Sequence, residues 1–97
     1  MRVQLLYFAG CPSWRLADER LSALAVERGF ELERRKVETP EQAAELGFRG
    51  SPTILVDGRD PFGEDDEPLE GLSCRVYHTP EGPTGVPTDE QLRDALS

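Results

Sequence analysis

The feature that most constrains this chain is its opening. Residues 2–8, Arg-Val-Gln-Leu-Leu-Tyr-Phe, form a short and nearly continuous apolar run. Such a strand has apolar side chains on both faces, so it reads as a strand buried on both sides, as in a parallel sheet. Ala9-Gly10-Cys11-Pro12 follows as a turn, and then Trp14, Ala17, Leu21, Leu24 and Ala25 recur at helical spacing. Arg15, Asp18, Glu19 and Arg20 fill the opposite face. Pro12 is expected at the first helical position, where the N–H it lacks has no partner to lose. Gly29 supplies the stop.

The remaining elements follow from local signals. Phe30 to Glu38 carries too much charge for a central strand and reads as a strand near the sheet edge. Thr39-Pro40-Glu41-Gln42 is a capping box with proline at the first helical position, opening a short helix that ends at Gly47. Thr53 to Val56 is a third strand, closed by the Asp57-Gly58 turn signal. Residues 58–71 read as a loop, Cys74 to His78 as a fourth strand, and 79–87 as another loop. Thr88 and Gln91 form a second capping box ahead of a last helix with Leu92, Ala95 and Leu96 on its apolar side. The expected order is β-α-β-α-β-β-α in one α/β domain over residues 1–97.

Composition excludes several function classes. Nineteen acidic residues against eleven Lys and Arg give a formal net charge of −8. That opposes general nucleic-acid binding, which needs a basic footprint, and docking on anionic membranes. No run approaches the ~20 apolar residues of a membrane span, and the N-terminal run lacks the basic flank of a signal peptide. Two cysteines are too few for a disulfide-stapled secreted scaffold. The expected compartment is the cytoplasm, and no cofactor or resident metal is expected.

Cys11 falls where the first strand gives way to the first helix. Unpaired N–H groups and the positive end of the helix dipole favour a negative sulfur there. Placement of this kind lowers a cysteine pKa from about 8.5 toward roughly 3.5–7.5 and makes a nucleophilic thiolate. The alternative is a buried, inert cysteine. Ser51-Pro52 stands at the entry to the third strand, a natural place for a cis proline, although an ordinary trans proline also opens strands.

Together these segments resemble the thioredoxin-like superfamily. One match is the strand Leu5-Leu6-Tyr7-Phe8 followed by Gly10-Cys11-Pro12-Ser13-Trp14. The other is Arg49-Gly50-Ser51-Pro52-Thr53, close to the family's Arg-Gly-X-Pro-Thr. The resemblance implies a mixed four-stranded sheet, a cis Pro52 lying against Cys11, and a Ser51 backbone that pairs with an extended thiol or disulfide substrate. The family's Cys-X-X-Cys is broken here, with Trp14 in the second position. Cys11 is therefore expected to act as a monothiol: attack, mixed disulfide, release by another thiol. Pro12 and Trp14 flank that site, and the plain reading of Trp14 is core packing.

Cys74 is the other thiol. It is a resolving cysteine for Cys11, a second soft ligand beside it, or a small hydrophobe in a strand. Gly71-Leu72-Ser73-Cys74-Arg75-Val76-Tyr77, with Gly10-Cys11-Pro12, is similar to short bacterial proteins described as alkylmercury-lyase-like. That likeness implies two thiolates and a carboxylate on mercury, with Asp57, Asp60 and the Glu64–Glu67 run as the available acids. His78 is either a base toward a thiol or a solvated surface group. Arg15 and Arg49 are expected to flank Cys11 or to be ordinary surface charges. Three readings follow: thiol–disulfide exchange at Cys11, soft-metal or organomercurial handling by Cys11 and Cys74, and a redox-silent binding module.

Overall fold

The computed structural model describes residues 1–48, 50–62 and 75–96. Strand β1 (Arg2–Tyr7) lies between β2 (Glu31–Lys36) and β3 (Thr53–Val56). It runs parallel to β2, with Leu5 opposite Arg34, and antiparallel to β3, with Leu5 opposite Ile54. The parallel pair needs a crossover, and helix α1 (Ser13–Arg28) provides it. Gly29 ends α1 in the left-handed conformation at φ 75°, donating its N–H to the Ala25 carbonyl.

Helices cover both faces of β1, which explains its continuous apolar run. Val3, Leu5 and Ile54 pack with Ala17, Leu21 and Leu24 of α1 and with Leu92 and Leu96 at the C-terminus. Leu6 and Leu55 point the other way, into a second cluster with Val37, Ala43 and Phe48. Removing a fully buried leucine such as Leu21 from this arrangement costs ~2–5 kcal/mol. Strand β2 is the charged outer strand, and Arg34 reaches back to Asp18 and Ser22 of α1.

The short helices follow their caps. In α2 (Pro40–Leu46) the Thr39 hydroxyl accepts the Gln42 N–H at 3.1 Å. The Gln42 side chain reaches the Glu38 N–H, one residue before the cap, so only half of the expected box forms. In α3 (Asp89–Ala95) both halves form between Thr88 and Gln91. Gln91 also donates to the His78 carbonyl.

The sheet differs from expectation. The described residues give a three-stranded sheet, β2-β1-β3, and a separate two-stranded hairpin, not one four-stranded sheet. The hairpin consists of β4 (Tyr77–Thr79) and β5 (Gly82–Thr84), so the expected loop 79–87 contains a strand. Thr79 Oγ1 donates to the Gly82 carbonyl and accepts the Glu81 N–H, which closes the turn. The strand expected to open at Cys74 opens at Tyr77. Just ahead of it, the Arg75 N–H is bonded to the Ser51 carbonyl and the Arg75 side chain is drawn inward. Among the described residues no helix is long and apolar enough to cross a membrane.

Candidate functional site

The site is assembled around the backbone of Phe8, just past the end of β1. The Phe8 carbonyl accepts the Cys11 N–H at 3.0 Å, which closes the turn Phe8-Ala9-Gly10-Cys11. The Phe8 N–H donates to Ser51 Oγ at 3.0 Å. One residue thus ties the cysteine turn to the proline loop, 43 positions away in sequence.

Helix α1 starts one residue later than expected. Pro12 is its N-cap, at φ −71° and ψ −16°, and Ser13 is the first helical residue. The Arg15 N–H returns to the Pro12 carbonyl at 3.3 Å, so the first turn is tight. Cys11 therefore lies just outside the helix at its N-terminal mouth. It is buried, with 1% of its surface exposed.

The Cys11 sulfur is disulfide-bonded, where the Cys-X-X-Trp pattern predicts a solitary thiol. Cys74, the chain's one other cysteine, lies outside the described residues. Cys11 Sγ is 3.6 Å from the Ser51 carbonyl oxygen. A disulfide sulfur carries no hydrogen, so this is a packing contact in the oxidised protein; a reduced Cys11 can donate its S–H there.

The Ser51–Pro52 peptide bond is cis. Ser51 and Pro52 are buried, and the loop is fixed from several sides. Thr53 Oγ1 donates to the Gly50 carbonyl, and the buried Tyr77 hydroxyl donates to the Pro52 carbonyl. Gly50 has φ +108°, a left-handed conformation that favours glycine, and a Cβ there would meet the Arg75 Cβ at 2.9 Å.

Sequence reasoning named Asp60 only as an available acid and missed its pairing with Arg75 beside this loop. Arg75 Nη1 binds Asp60 Oδ2 at 2.7 Å, and both side chains are only 5% exposed. Asp60 Oδ1 accepts the Phe62 N–H at 2.9 Å and faces Arg75 Nη2 at 3.4 Å. The Arg75 guanidinium lies 4.6 Å from the centre of the Tyr77 ring, and Phe62 meets that ring edge-on. Burial pushes the Tyr77 hydroxyl pKa above its ordinary value; nearby Arg75 opposes the shift. The residues of the pair are 15 apart in a stretch without periodicity, so no local signal marks them.

The other expected site residues fall as follows. Trp14 is half-buried and belongs to neither core cluster. It stacks on Tyr7 at 4.1 Å, with the Arg15 guanidinium 5.6 Å from its centre. The helical stripe that suggested core packing begins instead at Ala17. Pro12 is exposed. Asp57 is an exposed turn residue accepting the Arg2 N–H, and Asp60 is committed to Arg75. His78 is exposed on β4. Arg49 and the Glu64–Glu67 run lie outside the described residues. Among the described residues no group of three His, Cys, Asp or Glu side chains is arranged to hold a metal ion. An open hollow of about 250 Å³ adjoins the cysteine turn, lined by Phe8, Ala9, Lys36, Val37 and Glu38.

Neither a family model, nor a curated protein, nor a solved structure matches the chain.

Proposed function

We propose that this is a thioredoxin-like thiol–disulfide exchange protein in which Cys11 is the nucleophile and Cys74 the resolving thiol. The observation that carries the reading is the oxidised state of Cys11, whose bonded sulfur packs on the Ser51 carbonyl at the mouth of α1. Cys74, the other cysteine of the sequence, is the thiol assigned here to resolve the mixed disulfide on Cys11.

The reduced protein reacts in two displacements. The Cys11 thiolate attacks one sulfur of a substrate disulfide and expels the other as a thiolate. The Cys74 thiolate then attacks the Cys11 sulfur of the mixed disulfide and expels the second substrate thiolate. Two electrons pass from the cysteine pair to the substrate, and the two thiol protons end on the released thiols. A small thiol or a protein dithiol resets the pair by the reverse steps. The half-buried Trp14 and Tyr7 rings and the hollow beside Phe8 supply apolar surface next to the turn for the substrate's flanking groups.

The test is alkylation after equilibration in a series of glutathione redox buffers, read by mass spectrometry on the denatured chain. The expected result is two modified cysteines at the reducing end and none at the oxidising end, with one shared midpoint. With a disulfide substrate, Cys74→Ser should trap a mixed disulfide on Cys11, and Cys11→Ser should be inert. Two freely alkylated cysteines at every buffer ratio overturn the reading and favour a redox-silent module.

A further inference from the structure

The family resemblance implies that Ser51 offers its backbone to an extended substrate. In the folded chain that backbone is in use. The Ser51 carbonyl accepts the Arg75 N–H at 3.0 Å, and the next carbonyl, that of Pro52, accepts the Tyr77 hydroxyl. From the other side, Ser51 Oγ accepts the Phe8 N–H. Ser51 has 0% of its surface exposed and Pro52 is fully buried, so neither is open to a second chain.

A carbonyl oxygen has two lone pairs, so one hydrogen bond does not by itself exclude a second donor. Space does. A Cβ on Gly50 would lie 2.9 Å from the Arg75 Cβ and 3.1 Å from its Cα and N. Arg75 thus rests directly on the proline loop, while a paired strand needs ~4.7–4.9 Å between backbones. No further backbone fits between them. Nor is Arg75 free to leave. Its guanidinium is paired with Asp60, both side chains are 5% exposed, and the cation sits over the Tyr77 ring. Lifting Arg75 away strands the Asp60 carboxylate in the interior, which is strongly unfavourable.

The cysteine turn is open on a different side. Ala9, Gly10 and Pro12 are exposed, and the hollow of about 250 Å³ beside Phe8 adjoins them. That volume is below the ~300–1,000 Å³ of ordinary ligand pockets and suits a small molecule. We infer that Arg75 is a specificity-determining residue: it occupies the place beside Ser51 that an extended substrate would take, so Cys11 exchanges with small disulfides and not with disulfides carried in an extended polypeptide. This rests on the exchange function proposed above, and narrows its substrate and its resetting thiol to small molecules. The chemical step is the same: the Cys11 thiolate attacks one sulfur of the small disulfide, forms the mixed disulfide and expels the other sulfur as a thiolate.

The test uses two probes with the same sulfur chemistry. One is the mixed disulfide of N-acetylcysteine amide with cysteamine; the other is an unstructured peptide carrying that mixed disulfide on a central cysteine. Each is reacted with the reduced protein, and its loss is timed by chromatography. Free glutathione with the same probes gives the intrinsic ratio of the two rates. The parent should favour the small probe over that ratio by roughly tenfold, the worth of one or two backbone hydrogen bonds denied to the peptide. In the double variant Asp60→Asn/Arg75→Gln both charges are gone and the segment is held less firmly, so the preference should shrink toward the glutathione ratio. Arg75→Lys keeps the charge, loses the fork and the stacked plane, and should fall between.

A pair that only stabilises the fold changes both rates alike and leaves their ratio unmoved. A parent preference that the variants leave intact therefore overturns the inference, as does a parent that takes both probes in the glutathione ratio; either result leaves the exchange function standing. If the double variant fails to fold, Arg75→Lys decides by the same ratio. A reduced parent that reacts with neither probe overturns the exchange function and the inference together.

Discussion

Replacing Tyr77 with phenylalanine isolates one bond of the site. The Tyr77 side chain is 4% exposed, and its hydroxyl donates to the Pro52 carbonyl. Phenylalanine keeps the ring, its edge contact with Phe62 at 5.4 Å and its place beneath the Arg75 guanidinium. Apolar burial is therefore almost unchanged, and the cost comes from the lost bond. A typical hydrogen bond contributes ~0.5–1.5 kcal/mol net, and a buried carbonyl left without its donor costs ~1–3 kcal/mol. Partial relaxation sets the expectation at about 1–2 kcal/mol. In a domain of this size each kcal/mol moves the melting temperature by ~4–8 °C, so Tyr77→Phe should melt about 5–15 °C lower. Far-UV circular dichroism gives the melting curve, and urea unfolding with an unchanged slope checks that only stability has moved. Tyr7→Phe is the control: its half-buried ring keeps the stack on Trp14, and its melting temperature should barely change. If Tyr77→Phe melts at or above the parent, the hydroxyl does not hold the proline loop and the account of the site's rigidity fails.

Two further outcomes follow from the same region. Gly50→Ala should cost about 1–3 kcal/mol in urea unfolding, because φ is +108° and the new Cβ meets Arg75; Gly47→Ala, at φ +71° with open space around it, should cost less. Burial raises the Tyr77 pKa above its ordinary 10.0, so the folded state keeps that proton to higher pH than the unfolded chain does. Stability from this group is full below pH 10 and declines as pH rises beyond it; the alkaline decline should be shallower in Tyr77→Phe, and an equal decline would contradict the assignment.

The amino-acid sequence by itself determined the local elements. The apolar run at residues 2–8 demanded cover on both faces, and β1 lies between two clusters for that reason. Gly29 and Gly47 stop their helices in left-handed conformations, and Thr88 with Gln91 closes a full capping box. The charge on residues 31–36 sent β2 to the outside of the sheet. That Cys11 and Ser51-Pro52 are neighbours was implied only by the resemblance of their short motifs to the thioredoxin-like superfamily; the antiparallel pairing of β1 with β3 is what brings the two strand ends together. Each of the local signals is short-range: a cap, a turn or a side-chain period acts within a few residues.

What only the tertiary structure decided lies in contacts between distant segments. Cys11 meets the Ser51 carbonyl across 40 positions, and the Arg75 N–H meets the same oxygen from the other side. Asp60 read alone is one of several available acids and Arg75 a residue of an expected strand; burial makes each depend on the other. Trp14 sits at a helical position that suggests core, yet its ring stacks on Tyr7 and joins neither core cluster. The strand expected from Cys74 begins at Tyr77 because Arg75 is held by Ser51 and Asp60 instead of by a neighbouring strand. Strand propensity and periodicity carry no record of such partners: a buried charge has a place only where the fold supplies its counter-charge, and that match exists only once the chain has closed.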